Sequence, residues 1–262
     1  MFDEKELTLE LAEFYQIPYD EAHHYLMHGN EYYREEWIRS LHIPAELRVN
    51  LWKYTNIQQP PTTPEQIKEF YKKSYFAAFD MAKWHRNDNI IEFRGRPRSY
   101  YERYAYEAMN YFEHHPITRI FNYGGGIGSM DIRLAEMHHN VTSFDIGEKT
   151  QGFAKFRANK RGLNIQFINE LPIGNIQYPN LICYDVLEHC SNMDKELQNI
   201  SNLLEKGGHA FIQVTFPRNE AELRENPSHL EIHMGKNIRD LIIYLKKYGL
   251  EPLQSHGHFV KL

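Results

Sequence analysis

Apolar residues in the first 115 positions recur at helical spacing, and little there reads as strand. Leu7, Leu11 and Phe14 mark one apolar face, and Tyr33, Trp37 and Leu41 mark the next. Asp20 is placed to cap a short helix after Pro18. The run Gln58-Gln59-Pro60-Pro61-Thr62-Thr63-Pro64 breaks the pattern and ends in a helix start. Thr63 is the expected N-cap, Pro64 takes the first helical position, and Gln66 is spaced for a capping box. That helix is predicted to run through Phe70, Tyr71, Tyr75, Phe79 and Trp84. Arg94-Gly95-Arg96-Pro97-Arg98 reads as a loop, and a helix loaded with tyrosine follows from about Ser99 to Glu113.

From about residue 116 the pattern alternates. Short apolar runs at Arg119–Asn122, Val141–Asp145, Ile165–Ile168, Leu181–Asp185 and Ala210–Thr215 are strand candidates. Helix patterns fill the intervals at Ser129–His138, Lys149–Lys160 and Asp194–Leu204, and a last helix spans about Asn237–Tyr248. A terminal strand pair uses Glu251–Gln254 and His258–Lys261. Such alternation predicts a mostly parallel α/β sheet with helices on both faces. Ligands of such sheets sit beyond the carboxyl ends of the strands, where the strand order switches. The expected division is a helical part over residues 1–115 and an α/β part over 116–262.

Composition changes this picture little. The chain has 262 residues, 42% of them apolar, enough for one large core. The net charge of −5 argues against a broad nucleic-acid footprint. Cys183 and Cys190, the two cysteines, suit a reducing compartment rather than a disulfide framework. The opening Met1-Phe2-Asp3-Glu4-Lys5-Glu6 lacks the order of a signal peptide, and no apolar run approaches the roughly 20 residues of a membrane span. A soluble cytoplasmic protein without membrane or nucleic-acid partners is the expectation.

The chemistry begins where the first strand of the alternating region opens into Gly124-Gly125-Gly126-Ile127-Gly128. Glycine tolerates positive φ and lets ligand atoms approach the backbone, and the helix after it offers unpaired N–H groups to an anionic group. A tight turn without ligand is the plain alternative. Four glycines in five positions favour a nucleotide-like cofactor. Asp145 closes a strand about 20 residues further on, where a carboxylate accepts bonds from ribose hydroxyls.

A third stretch separates one cofactor from another. Asn180-Leu181-Ile182-Cys183-Tyr184-Asp185-Val186-Leu187-Glu188-His189 is a strand followed by D-V-L-E-H, and Leu203-Leu204-Glu205-Lys206-Gly207-Gly208 gives a helix end and a glycine turn. With the glycine loop and Asp145, the series resembles the class I S-adenosylmethionine-dependent methyltransferases of small-molecule type, over about residues 116–262. The resemblance implies a Rossmann-like, doubly wound seven-stranded sheet with an N-terminal all-helical extension. It implies S-adenosylmethionine as cofactor, S-adenosylhomocysteine as product and a small or medium-sized acceptor. Gly124, Gly126 and Gly128 would line the methionine part, Asp145 would hold the ribose, and Ile146 would lie against the adenine. Asn169 stands where the family often has an aspartate facing the adenine amino group. Asp185 and Val186 would flank the methionine moiety, with Glu188 and His189 at the pocket mouth. Asn122 replaces the usual Asp or Glu two residues before Gly124, which removes a charge from that contact.

Methyl transfer to a hydroxyl or ammonium requires a proton acceptor, and His189, His229 and His233 are the candidates. His229 and His233 are also spaced i, i+4 as a metal pair would be, with surface or packing roles as the bland alternative. The pairs His23-His24, His114-His115 and His138-His139 read as surface residues. Arg94, Arg96 and Arg98 read as a solvated loop or as an anion clamp. The tyrosines at 100, 101, 104, 106 and 111 read as core packing or as an aromatic lid. Three rival readings stay open: an S-adenosylmethionine-binding enzyme that transfers something other than methyl or uses a modified cofactor, a noncatalytic scaffold, and an NAD-dependent oxidoreductase. The helical part is expected to cover the pocket, select the substrate or form a homodimer.

Overall fold

The computed structural model describes residues 3–40, 64–86, 90–93, 96–219, 222, 233–253 and 257–262. Thr63, Arg94, Leu41 and His229 lie outside them.

Helix α1 (Glu4–Tyr15) starts at Asp3, whose side chain accepts from the Glu6 N–H at 2.8 Å. Glu4 and Glu6 in its first turn suit the positive end of the helix dipole. Helix α2 (Tyr19–Ser40) is kinked at His28, where φ is −114° and ψ is 18°. The single helix predicted through Phe70 and Trp84 is two, α3 (Pro64–Lys73) and α4 (Ala77–Trp84). The break has a distant cause. The Glu36 carboxylate on α2 accepts from Ser74 Oγ at 2.5 Å, Tyr75 N at 2.7 Å and Phe76 N at 3.1 Å. The carboxylate holds the 74–76 turn in place, and Ser74 Oγ in turn accepts from Ala77 N, the first amide of α4, at 3.1 Å, so α3 does not run on.

Residues read as loop form a hairpin instead. β1 (Ile90–Phe93) and β2 (Arg96–Ser99) pair antiparallel, with Ile90 opposite Ser99. Helix α5 (Tyr100–Glu113) follows. The alternating region then forms as its pattern predicts, in chain order: β3 (Arg119–Tyr123), α6 (Ser129–Glu136), β4 (Asn140–Phe144), α7 (Glu148–Lys160), β5 (Gln166–Ile168), β6 (Tyr178–Tyr184), α8 (Met193–Leu203), β7 (Leu204–Gln213), α9 (Ile238–Lys247), β8 (Leu250–Pro252) and β9 (His258–Lys261). The seven strands stand in the order β5-β4-β3-β6-β7-β9-β8, antiparallel only where β9 meets β7 and β8. Strand order therefore switches between β3 and β6.

Alternate strand residues divide the core. Ile120, Ile182 and Phe211 face one layer, which also contains Leu7, Leu11, Leu26, Phe79, Phe112 and Phe153. Phe121, Tyr123, Leu181, Cys183 and Ile212 face the other, against α8 and α9. This is the period of two expected of strands buried on both faces. The N-terminal helices thus share one core with the sheet. Among the described residues no helix is long and apolar enough to cross a membrane.

Candidate functional site

The glycine loop sits at the switch point. Gly124 N and Gly125 N both donate to Phe144 O, at 2.7 and 2.9 Å, which ties the loop to the end of β4. Gly124 has φ +82°, and a Cβ there would lie 2.2 Å from Val186 Cγ2. Gly126 has φ +56°, and its N–H donates to Asp145 Oδ2 at 2.8 Å. A Cβ on Gly126 would meet Met81 Sδ of α4 at 3.0 Å, and Gly128, at φ +74°, packs on Ala154. Both walls of the cradle therefore touch the loop where only glycine fits.

Asp145 follows β4 directly. Its other oxygen, Oδ1, accepts from Gly147 N at 2.7 Å and Thr150 Oγ1 at 3.3 Å. Three donors fill most of the roughly four acceptor positions of a carboxylate. Burial raises its pKa, and these bonds oppose the rise. Gln151 Nε2 donates to Asp145 O and to Ile168 O, at 3.2 and 2.7 Å, joining the ends of β4 and β5. Ile146 is half-buried and, like Ile168, Leu171 and Val186, packs against the core on the α8 and α9 side of the sheet. Asn169 is exposed just past β5.

Asn122 corrects the expectation placed on it. It is buried, and its Nδ2 donates inward to Asp131 Oδ1 at 2.7 Å, in the first turn of α6. Ser143 Oγ donates to Asp131 Oδ2, also at 2.7 Å. The acidic group missing at position 122 is thus present beneath the loop, contributed by the next helix. Burial pushes Asp131 up to about 7, against the pull of the two bonds. Its sequence signal was faint: an aspartate in the first turn of a helix is also an ordinary dipole partner.

At the end of β6, Asp185 takes a left-handed φ of +52°, uncommon for a side chain with a Cβ. The 3-10 turn Leu187–His189 follows. Thr215, past β7, binds both acids of the segment: its N–H donates to Glu188 Oε1 at 2.9 Å and its Oγ1 to Asp185 Oδ1 at 3.3 Å. Glu188 is fully buried, and burial followed by the Asp185 charge holds its pKa well above the usual carboxylate range. Asp185 shifts upward too, its carboxyl partly desolvated although the residue as a whole is exposed at the rim.

The candidate histidines separate. His189 is half-buried beside the acids, its ring 5.4 Å from that of Tyr71 on α3. Tyr71 O also lies 3.2 Å from where a Gly147 Cβ would be, so this tyrosine bridges the two sides of the crevice. Sequence reading placed Tyr71 on a helix but gave it no part in the site. His233 is buried, with its Nε2–H on Cys190 O at 2.7 Å and its Nδ1 accepting from Lys236 Nζ at 3.0 Å. Both ring nitrogens are engaged, so His233 pins two loops together instead of meeting a substrate proton. Among the described residues no group of His, Cys, Asp and Glu is arranged to hold a metal.

Residues 86–255 match the methyltransferase domain family. The chain belongs to that family. It is 26% and 29% identical, over 145 and 149 residues, to the ubiquinone biosynthesis O-methyltransferases of Shewanella pealeana and Aeromonas salmonicida. Each match covers 53% of this chain and 55% of the relative, so the chain spans about half the length of these relatives. Magnesium protoporphyrin IX methyltransferase from Synechocystis PCC 6803, solved with bound SAM, superposes with a TM-score of 0.54. That match covers 79% of this chain and 100% of the other, at 16% identity, a likeness of fold. A methyltransferase domain on a seven-stranded, mostly parallel sheet agrees with the expectation from sequence.

Proposed function

We propose that this protein transfers a methyl group from S-adenosylmethionine to a small or medium-sized acceptor bearing an ionisable hydroxyl or amine. One observation carries the reading. The Gly124–Gly128 loop turns at the β3/β6 switch with Gly124, Gly126 and Gly128 at positive φ, and it is bonded to Asp145 on one side and packed on Val186 on the other. In this reading Gly124, Gly126, Gly128, Asp145, Ile146, Asn169, Asp185 and Val186 surround the donor. Asn122 acts beneath the loop through Asp131. The bound donor contributes an already activated methyl group. The protein has to align the acceptor, exclude water and take a proton. His189 and Asp185 stand at the rim as the proton acceptors, with Glu188 buried behind them.

Tyr71, Met81 and His85 bring α3 and α4 against the loop and His189, which supports the N-terminal helices as a cover. Their main apolar residues are buried within the chain, so a homodimer through these helices would use their outer faces. Sedimentation tests that arrangement. Free thiols at Cys183 and Cys190 fit operation in the cytoplasm.

The test of the donor is calorimetric titration with S-adenosylmethionine and S-adenosylhomocysteine, with NAD as control. Micromolar binding of the first two without NAD binding is expected. Binding of NAD alone would overturn the reading. An acceptor screen read by mass should then show a gain of one CH₂. A product with any other mass increment would replace methyl transfer with another group transfer.

A further inference from the structure

Helix α1 is far from the loop in sequence but is bonded to it through one guanidinium. Arg157 on α7 and Glu10 on α1 are both buried, at 0% and 2% exposure. Arg157 Nε donates to Glu10 Oε2 at 3.0 Å. Its Nη1 continues to the glycine loop, donating to Ile127 O at 2.7 Å and to Ser129 Oγ at 3.2 Å. Ser129 Oγ in turn lies 2.9 Å from His85 Nδ1, at the end of α4. Arg161 Nη1 donates to the second Glu10 oxygen at 2.5 Å, so Glu10 is held from both sides.

A buried ion pair adds little net stability compared with apolar residues of the same size. The geometry here gives the pair another task. A peptide unit is planar, so fixing the Ile127 carbonyl also fixes the Gly128 N–H on the same plane. That N–H donates to Gly125 O at 3.0 Å and closes the loop. We propose that Glu10 and Arg157 form a relay that sets the shape of the glycine loop, which makes α1 a positioning element of the donor site. Neither residue touches the donor in this arrangement. Lys160 and Glu13 join the same two helices at 2.6 Å on the surface, without reaching the loop. They provide an internal control.

The affinity part of the test rests on the donor reading above. Three variants are compared with the parent protein: Arg157→Lys, Glu10→Gln and Glu13→Gln. Lysine keeps the charge toward Glu10 but loses the fork that reaches Ile127 and Ser129. S-adenosylhomocysteine binding should weaken about tenfold in Arg157→Lys and Glu10→Gln, the scale of one lost charge-assisted bond. Glu13→Gln should stay at the parent value. In ligand-free protein, amide hydrogen exchange at Gly125 to Ser129 should speed up in the first two variants only. If a single variant fails to fold, the double variant Glu10→Gln/Arg157→Met removes both charges and should fold with the same fast loop exchange. Parent-like exchange and affinity in Arg157→Lys and Glu10→Gln would overturn the relay. If the parent binds no S-adenosylhomocysteine, the donor reading falls, and the exchange data alone still decide the relay.

Discussion

Gly124→Ala tests the cradle most directly. The new Cβ would lie 2.2 Å from Val186 Cγ2, whereas ordinary contacts begin near 3.4 Å, so something must shift by more than 1 Å. Valine is branched at Cβ and stiff about χ1, and Val186 packs against the core cluster of α8 and α9. Overpacking of this kind costs about 1–3 kcal/mol. The φ of +82° adds roughly 1 kcal/mol for any side chain with a Cβ. The sum is about 2–4 kcal/mol, a fall in Tm of about 5–15 °C for a chain of this size. The companion change Val186→Ala removes the clashing methyl. In the double variant the clash should vanish while the φ strain remains, so the two changes should couple by about 1–3 kcal/mol. Urea unfolding of the four proteins measures this. Additivity within about 0.5 kcal/mol would refute the packing of Val186 on Gly124 as the reason for glycine there.

The other predictions use the same assays. Asp145→Asn must turn an amide N–H₂ toward Gly126 N or Gly147 N, donor against donor, and should weaken S-adenosylhomocysteine binding by about 1–3 kcal/mol; unchanged calorimetric affinity would remove Asp145 from the site. His85 is held near a pKa of about 3 by burial and then by Arg157, against 6.5 when unfolded, so it is neutral in the fold. Its contribution is therefore intact above pH 6.5 and is lost as pH falls toward 3, by about 3 kcal/mol at pH 4. Asp131, with its pKa raised, works in the opposite sense between about 7 and 3.8, so the His85 effect is read as the difference between the parent and His85→Asn across pH. His233→Ala should lower stability by about 2 kcal/mol through two lost buried bonds while leaving S-adenosylhomocysteine affinity within twofold; a large loss of affinity without loss of stability would return His233 to the site.

The sheet and its loop were legible because their causes are local. Strands buried on both faces leave short apolar runs, the helices between them leave their own period, and the glycines mark a turn that any partner would require. The position of Asp145 was legible for the same reason: it follows a strand end at a set distance from the loop. The 204–213 strand was only partly legible. It begins before the Gly207-Gly208 pair that reads as a turn, because Leu204 already pairs with Tyr178 and the glycines fall in the register shift before His209 pairs with Asn180. The β1–β2 hairpin was missed because four-residue strands around an arginine-rich stretch carry no alternation to detect.

By itself, then, the chain's order of residues determined the α/β class, the order of the strands along the chain, the loop, and the segments that reach its rim. Only the tertiary structure decided which side chains complete them. Glu10 and Arg157 are 147 positions apart, Glu36 breaks a helix 38 positions downstream of itself, and Asn122 turns away from the crevice toward Asp131. Tyr71 reaches His189 only because the fold brings α3 beside the segments after β4 and β6. Local propensity and periodicity depend on neighbours within a few residues. The partner of a buried charge or a packed ring depends on which elements the core brings together, and that is settled only when the whole chain has packed.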